Sequence, residues 1–413
     1  MSSAAPAEIQ AAAEDQNGIG AILRSRWDAF KSGDVGSLPV IVGIIVITIF
    51  FTSRTSIFFS AVNFQNLIGQ MAGVTVIGVG VVFVLLIGEI DLSIGFVSGV
   101  AGVVLAEMQL PGSSHQYPGL VAIALALLTG AVIGLAQGSI IAFIGVPSFV
   151  VTLAGLLVSQ GVILQVLGTQ GVIGIQDKQI NDVSNYVLSP NQGWTIAVIF
   201  AVGLAGASFG SYFSRRRAGL PTGNVLLTAV RVVFYGGLAF AAVAVCNNAK
   251  PRAGVPLVGL IVVFIVVLGG YIASRTTFGR HVYAVGGNAE AARRSGINVS
   301  LIRILVFMIS GAMAAMGGVI LASRLNSIDL TAGGSTLLLD SISAAVIGGV
   351  SLFGGRGRVI GALFGGLIIG MIGNGLDLLG YSDAVKFITT GAILLAAVTL
   401  DTVARRRQVS AGR

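Results

Sequence analysis

The run FQNLIGQMAGVTVIGVGVVFVLLIG, residues 64–88, carries no charged side chain in 25 positions. Its apolar residues are continuous rather than alternating, which excludes a half-buried strand and leaves a buried helix. A helix rises about 1.5 Å per residue, so a run of this length outreaches the ~30 Å of hydrocarbon in a bilayer. The stretch therefore reads as a membrane-spanning helix. Gly69 and Gly73 lie four apart on one face of it, a spacing that lets neighbouring helices approach closely.

Working outward, eleven further runs share this character, giving spans at roughly 38–59, 64–88, 92–110, 119–144, 147–167, 193–213, 225–247, 254–274, 304–323, 336–353, 357–377 and 383–403. Composition agrees: 55% of the 413 residues are hydrophobic and 10% charged, where soluble domains carry about 25% charge. The 59 glycines are about twice the usual ~7% and follow no collagen period. Many recur at four-residue spacing inside apolar runs, as at Gly130, Gly134 and Gly138. The fold class expected is all-α, a polytopic transmembrane bundle of about twelve spans (ten to fourteen), with no β-barrel pattern.

Topology follows from the basic residues. With the amino terminus inside, Arg215, Arg216 and Arg217, the loop 275–303, Arg356 and Arg358, and Arg405, Arg406 and Arg407 all fall on one side, as positive-inside bias requires. Arg54, Lys178, Lys250, Arg252, Arg324 and Lys386 are the exceptions. Both termini are then cytoplasmic. The expected organisation is a cytoplasmic tail over 1–37, a membrane domain over 38–403 that includes a cytoplasmic loop at 275–303, and a basic tail over 404–413. Residues 1–37 mix both charge signs and lack the layout of a cleaved signal peptide. A hydrophilic stretch at 168–192 faces the other side. The +8 formal charge marks topology rather than nucleic-acid binding. Cys246 stands alone, and His115 and His281 have no metal-ligand partners in sequence, so neither a disulfide nor a metal site is expected.

Three constellations stand out. GEIDLSIG (88–95) sets Glu89, Asp91 and Ser93 between apolar runs. Acids there cost about 2.5–3.5 kcal/mol at a helix centre and usually face water, a partner or a substrate. The alternative is that Asp91 or Ser93 caps the next helix. The loop 279–297 offers Asn288 as an N-cap, a short helix from Ala289, and Gly296 as its stop; a basic loop held by anionic lipid is the other reading. The segment 339–358 puts Asp340 and serines on a span before Gly354, Gly355 and Gly357, and there a packing helix is favoured over ligand contact. No G-x-x-x-x-G-K-[ST], H-E-x-x-H or nucleophile elbow occurs, so nothing points to an enzyme or to ATP held by this chain.

These motifs resemble the permease subunits of bacterial ATP-binding-cassette importers for monosaccharides, the ribose, xylose and galactose group. GEIDLSIG (88–95), VPSFVVTLAGLLVSQG (146–161), GRHVYAVGGNAEAARRSGINV (279–299), LDSISAAVIGGVSLFGGRGRVIGALFGG (339–366) and NGLDLLG (374–380) carry the resemblance in order. Extra apolar sequence around Arg215 makes the chain most similar to xylose-type permeases and tips the expected sugar toward a pentose. The resemblance implies a multi-pass protein of the bacterial cytoplasmic membrane that binds no cofactor itself. It implies three partners: a separate ATPase that consumes the ATP, a periplasmic or extracellular sugar-binding protein, and a second permease chain, expected to be identical. Glu290-Ala291-Ala292 followed three residues later by Gly296 resembles the loop on which such ATPases dock, without the downstream Leu-Pro of the fuller pattern. Gly279, Gly287, Asn288, Glu290, Ala291, Ala292 and Gly296 are thus the expected coupling loop. Gln65, Asn66, Gln70, Glu89, Asp91 and Ser93 are the expected sugar path. An ion-coupled secondary transporter, with Glu89 or Asp91 carrying the proton, is the main alternative; against it, the hydrophobic pattern shows no two related halves. A channel or a non-transporting scaffold is a second one.

Overall fold

The computed structural model describes residues 38–110, 116–220, 222 and 224–410; the expected tail at 1–37 lies outside them. Every apolar run contains a helix. In chain order these are α1 (Leu38–Arg54), α2 (Ala61–Leu86), α3 (Ile94–Glu107), α4 (Gly119–Ser139, extended by a π-turn over Ile140–Ile144) and α5 (Ser148–Leu167). Strand β1 (Val172–Gly174) and the short α6 (Lys178–Asn185) follow, then α7 (Pro190–Arg217), α8 (Val225–Asn247), α9 (Leu257–Arg275), α10 (Thr277–Gly287) and α11 (Ala289–Arg294). The chain continues with α12 (Val299–Leu325), strand β2 (Ser327–Asp329), α13 (Ser335–Ile347), α14 (Ile360–Leu378) and α15 (Asp383–Ser410).

The all-α bundle is as expected. Among the described residues eight helices are long and apolar enough to cross a membrane: α2, α4 (with its π-turn), α5, α7, α8, α9, α12 and α14. Helices α3 and α13, expected as full spans, have 14 and 13 residues, about 20 Å each. Left-handed glycines set two of the boundaries: Gly88 (φ 76°) follows α2, and Gly349 (φ 87°) follows α13. Helix α15 runs on to Ser410, through most of the stretch expected as a tail.

The helices group into two compact units, with 188–255 in one and 37–187 plus 256–401 in the other. The first is the α7–α8 hairpin. Ser189 and Gln192 form a reciprocal capping box at its start, and Trp194 stacks on Phe240 with centroids 5.9 Å apart. In the second unit α12 is the hub. It runs antiparallel to α4 at backbone contact: a Cβ on Gly134 would strike the Phe307 carbonyl, and one on Gly311 the Gly130 carbonyl. The four-residue glycine spacing therefore does mark helix crossings. Around the hub, Val76, Ile77, Val82, Phe83, Leu86, Val306 and Phe307 are buried.

The half-length helices share a layout. Asp91, just before α3, reaches Ser310, the twelfth residue of the 27-residue α12. The turn after α2 thus climbs back into the bundle, and α3 starts at mid-depth. The segment before α13 enters from the opposite end, where β1 and β2 pair antiparallel. It descends until Gly333 meets Gly95 at backbone contact. Each of α2 and α12 is therefore a long helix followed by a half-helix, and the two hairpins run in opposite senses. This inverted pairing is invisible in the hydrophobic pattern because the two breaks differ in sequence, GEIDLS against TAGGS.

One buried polar contact ties α2 to α14. Asn63 and Asn374 exchange two amide hydrogen bonds, at 2.8 and 2.9 Å, and both are buried. Asn63→Leu leaves the Asn374 amide unpaired, a cost of about 1–3 kcal/mol. The expected result is a lower thermal midpoint in detergent, with part of the loss recovered by adding Asn374→Leu; a double variant less stable than either single one would refute the pairing.

Candidate functional site

Parts of the three constellations meet at the basic end of the second unit: loop 279–297, Gly88 and Glu89, and Gly354 to Gly357. Loop 275–303 folds as α10 and α11, as expected for a short helix from Ala289. Asn288 accepts the Ala291 N–H at 2.9 Å and caps α11, and Gly296 (φ 85°) ends it. Ala292 is buried beneath the helix. Glu290 stays on the surface and pairs within its own helix with Arg294 at 3.1 Å and Arg293 at 3.7 Å. Exposed pairs of this kind contribute about 0–1 kcal/mol, so Glu290 remains available to a partner. Gly279 is packed so closely that a Cβ would strike the Ile272 and Ala273 carbonyls, whereas Gly287 and Gly296 have open space.

Helix α10 is seated on two other glycine segments. A Cβ on Gly286 would land on the Leu86 carbonyl and the Gly355 nitrogen. Gly355 N–H donates to Leu86 O at 2.9 Å. Gly354 (φ 84°) lies against Gly88 (φ 76°) and the Gly286 carbonyl. Main chain from α2, α10 and the loop before α14 is thus in direct contact. The Tyr283 hydroxyl donates to Gly357 O at 2.8 Å; burial pushes this phenol up, and Arg358 partly opposes the shift. Phe278 lies on Phe83 with centroids 6.5 Å apart. The basic residues of 275–303 and those at Arg356 and Arg358 therefore belong to one end, as the charge pattern required.

GEIDLSIG forms the ascending break. Glu89 pairs with Arg303 of α12 at 3.0 Å; the Nε–H is not aligned for a hydrogen bond, so the contact is ionic. Asp91 is buried and accepts from Ser93 N–H at 2.9 Å, Ser93 Oγ at 2.7 Å and Ser310 Oγ at 2.8 Å. It therefore holds the turn that leads into α3, whose N-cap Ser93 makes no side-chain cap bond, and clamps the break to α12. Ser93 Oγ also lies 3.1 Å from Gln137 Oε1, while Gln137 Nε2 has no partner. One hydroxyl proton serves one acceptor, so turning the amide over lets Nε2 donate to Ser93 and resolves both. Helix α5 holds the break from the other side, through Ser148 Oγ to Ile90 N–H at 3.2 Å and Thr152 Oγ1 to Ile90 O at 3.3 Å.

The structure does not bring all six expected path residues together. Glu89, Asp91 and Ser93 form one node. Gln65, Asn66 and Gln70 sit nearer the other end of α2, roughly 15–22 Å along its axis from the depth of Asp91 and Ser93, beside Gly80, and roughly 30 Å or more from Glu89. Near that end a separate charged group gathers: Lys386 bridges Asp377 and, at 2.8 Å, Asp383. Gln137, Ser310 and the Asn63–Asn374 pair escaped sequence reading, because single polar residues inside apolar runs carry no spacing signal.

The family described as "Branched-chain amino acid transport system / permease component" matches residues 63–398. The chain belongs to this permease family. The permease is 34% identical over 409 residues to the xylose transport system permease protein of Escherichia coli K12, covering 98% of this chain and all of that one. It is 33% identical to the ribose import permease protein of Haemophilus influenzae, over 83% of this chain and 86% of that one. The corresponding Escherichia coli K12 ribose protein is 32% identical, over 87% and 92%. The resemblance read from the motifs is borne out. The permease is a multi-pass protein of the cytoplasmic membrane and a transporter subunit rather than an enzyme. No solved structure matches it.

Proposed function

We propose that this permease carries a pentose of the xylose type across the membrane by alternating access, driven by ATP that a separate subunit hydrolyses. The observation that carries the reading is the full-length match to a xylose permease, combined with an exposed α11 at the basic end. Xylose and ribose are both pentoses, so the relatives of both kinds support the pentose assignment, and the xylose protein matches over more of the chain than the ribose proteins do. The ATPase docks on α11 through Glu290 and the small exposed face of Ala291, while the buried Ala292 seats the helix on the bundle. A sugar-binding protein delivers solute at the opposite end, and two copies of the chain surround the path, with lipid outside them. ATP is bound by the partner alone. Alternation requires the ATPase to bind the two permease conformations with different affinity. The engagement of Glu89 by Arg303, and of Asp91 by three donors, gives both acids structural partners and supports this reading over a proton carrier.

Affinity purification of the tagged permease in mild detergent tests the assignment. A nucleotide-binding subunit should copurify and be lost from Glu290→Lys, which reverses the charge on α11. Xylose uptake that survives ATP depletion and collapses with the ion gradient would sink the proposal.

A further inference from the structure

Between α13, α14 and α15 lies a cavity of about 320 Å³, lined among others by Thr336, Asp340, Ile372, Gly373, Phe387 and Thr390. A second lobe of about 260 Å³ shares Thr336, Asp340, Phe387 and Thr390. The size falls at the lower end of ligand pockets, about 300–1,000 Å³, and suits a small solute. Its depth is informative. Thr336 and Asp340 belong to the first turns of α13, the half-helix that begins inside the bundle beside Gly95. Broken helices at mid-membrane are where transporters place their solutes.

The chemistry of the walls narrows the occupant. Asp340 makes no ion pair and no hydrogen bond among the described residues, although it is largely enclosed. Gly334 offers no side chain to cap α13; Leu337 N–H donates to Gly334 O at 3.0 Å, so the N–H groups ahead of it are the ones open to an acceptor. Thr336 and Thr390 add hydroxyls that donate or accept. Phe387 supplies an aromatic wall. At the rim, Asp383 and Lys386 satisfy each other at 2.8 Å. A dehydrated cation needs about six oxygen ligands, and one carboxylate with two hydroxyls falls short. A lipid tail would leave Asp340 facing hydrocarbon. A neutral molecule with several hydroxyls matches both the acceptor and the donors.

We infer that this cavity is a sugar-contact site on the transport path, in which Asp340 accepts hydrogen bonds from the sugar's hydroxyls and Thr336, Thr390 and the start of α13 answer its oxygens. The inference rests on the sugar-import reading above. Two measurements test it in cells expressing the permease with its transport partners. Asp340→Asn removes the charge at nearly constant shape; with equal protein in the membrane, xylose uptake at low sugar should fall about tenfold or more, the loss typical of a hydrogen bond to a charged group. In a Cys246→Ser background, Thr390→Cys should react with a charged, water-soluble thiol reagent, and xylose should slow that reaction several-fold. Unchanged uptake by Asp340→Asn overturns the site. So does labelling that ignores xylose, or labelling by lipid-soluble reagents alone. In each of these cases ATP-dependent uptake by the unsubstituted chain would still uphold the importer itself.

Discussion

Gly286→Val is expected to reduce sugar uptake by at least about tenfold and to lower the thermal midpoint of the purified permease. The reason is the absence of side chains at this joint. A single Cβ at Gly286 meets the Leu86 carbonyl and the Gly355 nitrogen, which are main-chain atoms hydrogen-bonded to one another. Rotamers give way to an added methyl; backbone does so only by moving whole segments. Overpacking costs about 1–3 kcal/mol even where side chains can yield, and each 1.4 kcal/mol is tenfold in an equilibrium. Gly287→Ala is the control, because that neighbour faces open space and should behave as the parent. Uptake and midpoint both unchanged in Gly286→Val would show that α10 is not seated on α2 in the working protein.

Asp91→Leu should be nearly as severe, for a different reason. It strands the Ser93 N–H and the hydroxyls of Ser93 and Ser310, all buried. Orphaned buried groups cost about 1–3 kcal/mol each. Interhelical hydrogen bonds in membranes average only about 0.6 kcal/mol, so most of the expected loss comes from the stranded donors rather than from the Ser310 bond. Asp91→Asn keeps one acceptor for Ser93 and presents an amide that Ser310 can accept, so the chain should still accumulate in the membrane. Measuring uptake together with protein level separates two roles for the acid. Lost uptake at normal abundance places it in the transport cycle; proportional loss of both makes it a clamp.

The sequence made some of this plain and hid the rest for physical reasons. Helices were legible because hydrocarbon forces long uncharged runs. Helix α11 was legible because Asn288 and Gly296 punctuate it locally. The half-length of α3 and α13 was not, since an apolar run looks the same whether it is straight or interrupted. Residues 64–88 and 92–110 look like two spans until Asp91 is seen at the depth of Ser310. The candidate path residues were chosen by type, and type holds no distance: Gln65 and Glu89 lie at opposite ends of one helix. Asn63 and Asn374 are 311 positions apart in the chain, and nothing local in either foretells the pairing.

The two half-helices have an electrostatic consequence. Each peptide dipole sums along a helix to roughly half a positive charge at its amino end, and both α3 and α13 aim that end at the middle of the bundle. Asp91 neutralises the first. The second has no side-chain cap, so it leaves a patch of positive potential at the depth where the bundle is most interrupted. A sugar's oxygens can accept from these N–H groups, and the Asp340 carboxylate lies in the second turn of the same helix. The amino end of α13 thus places main-chain donors inside the bundle that no side-chain truncation removes.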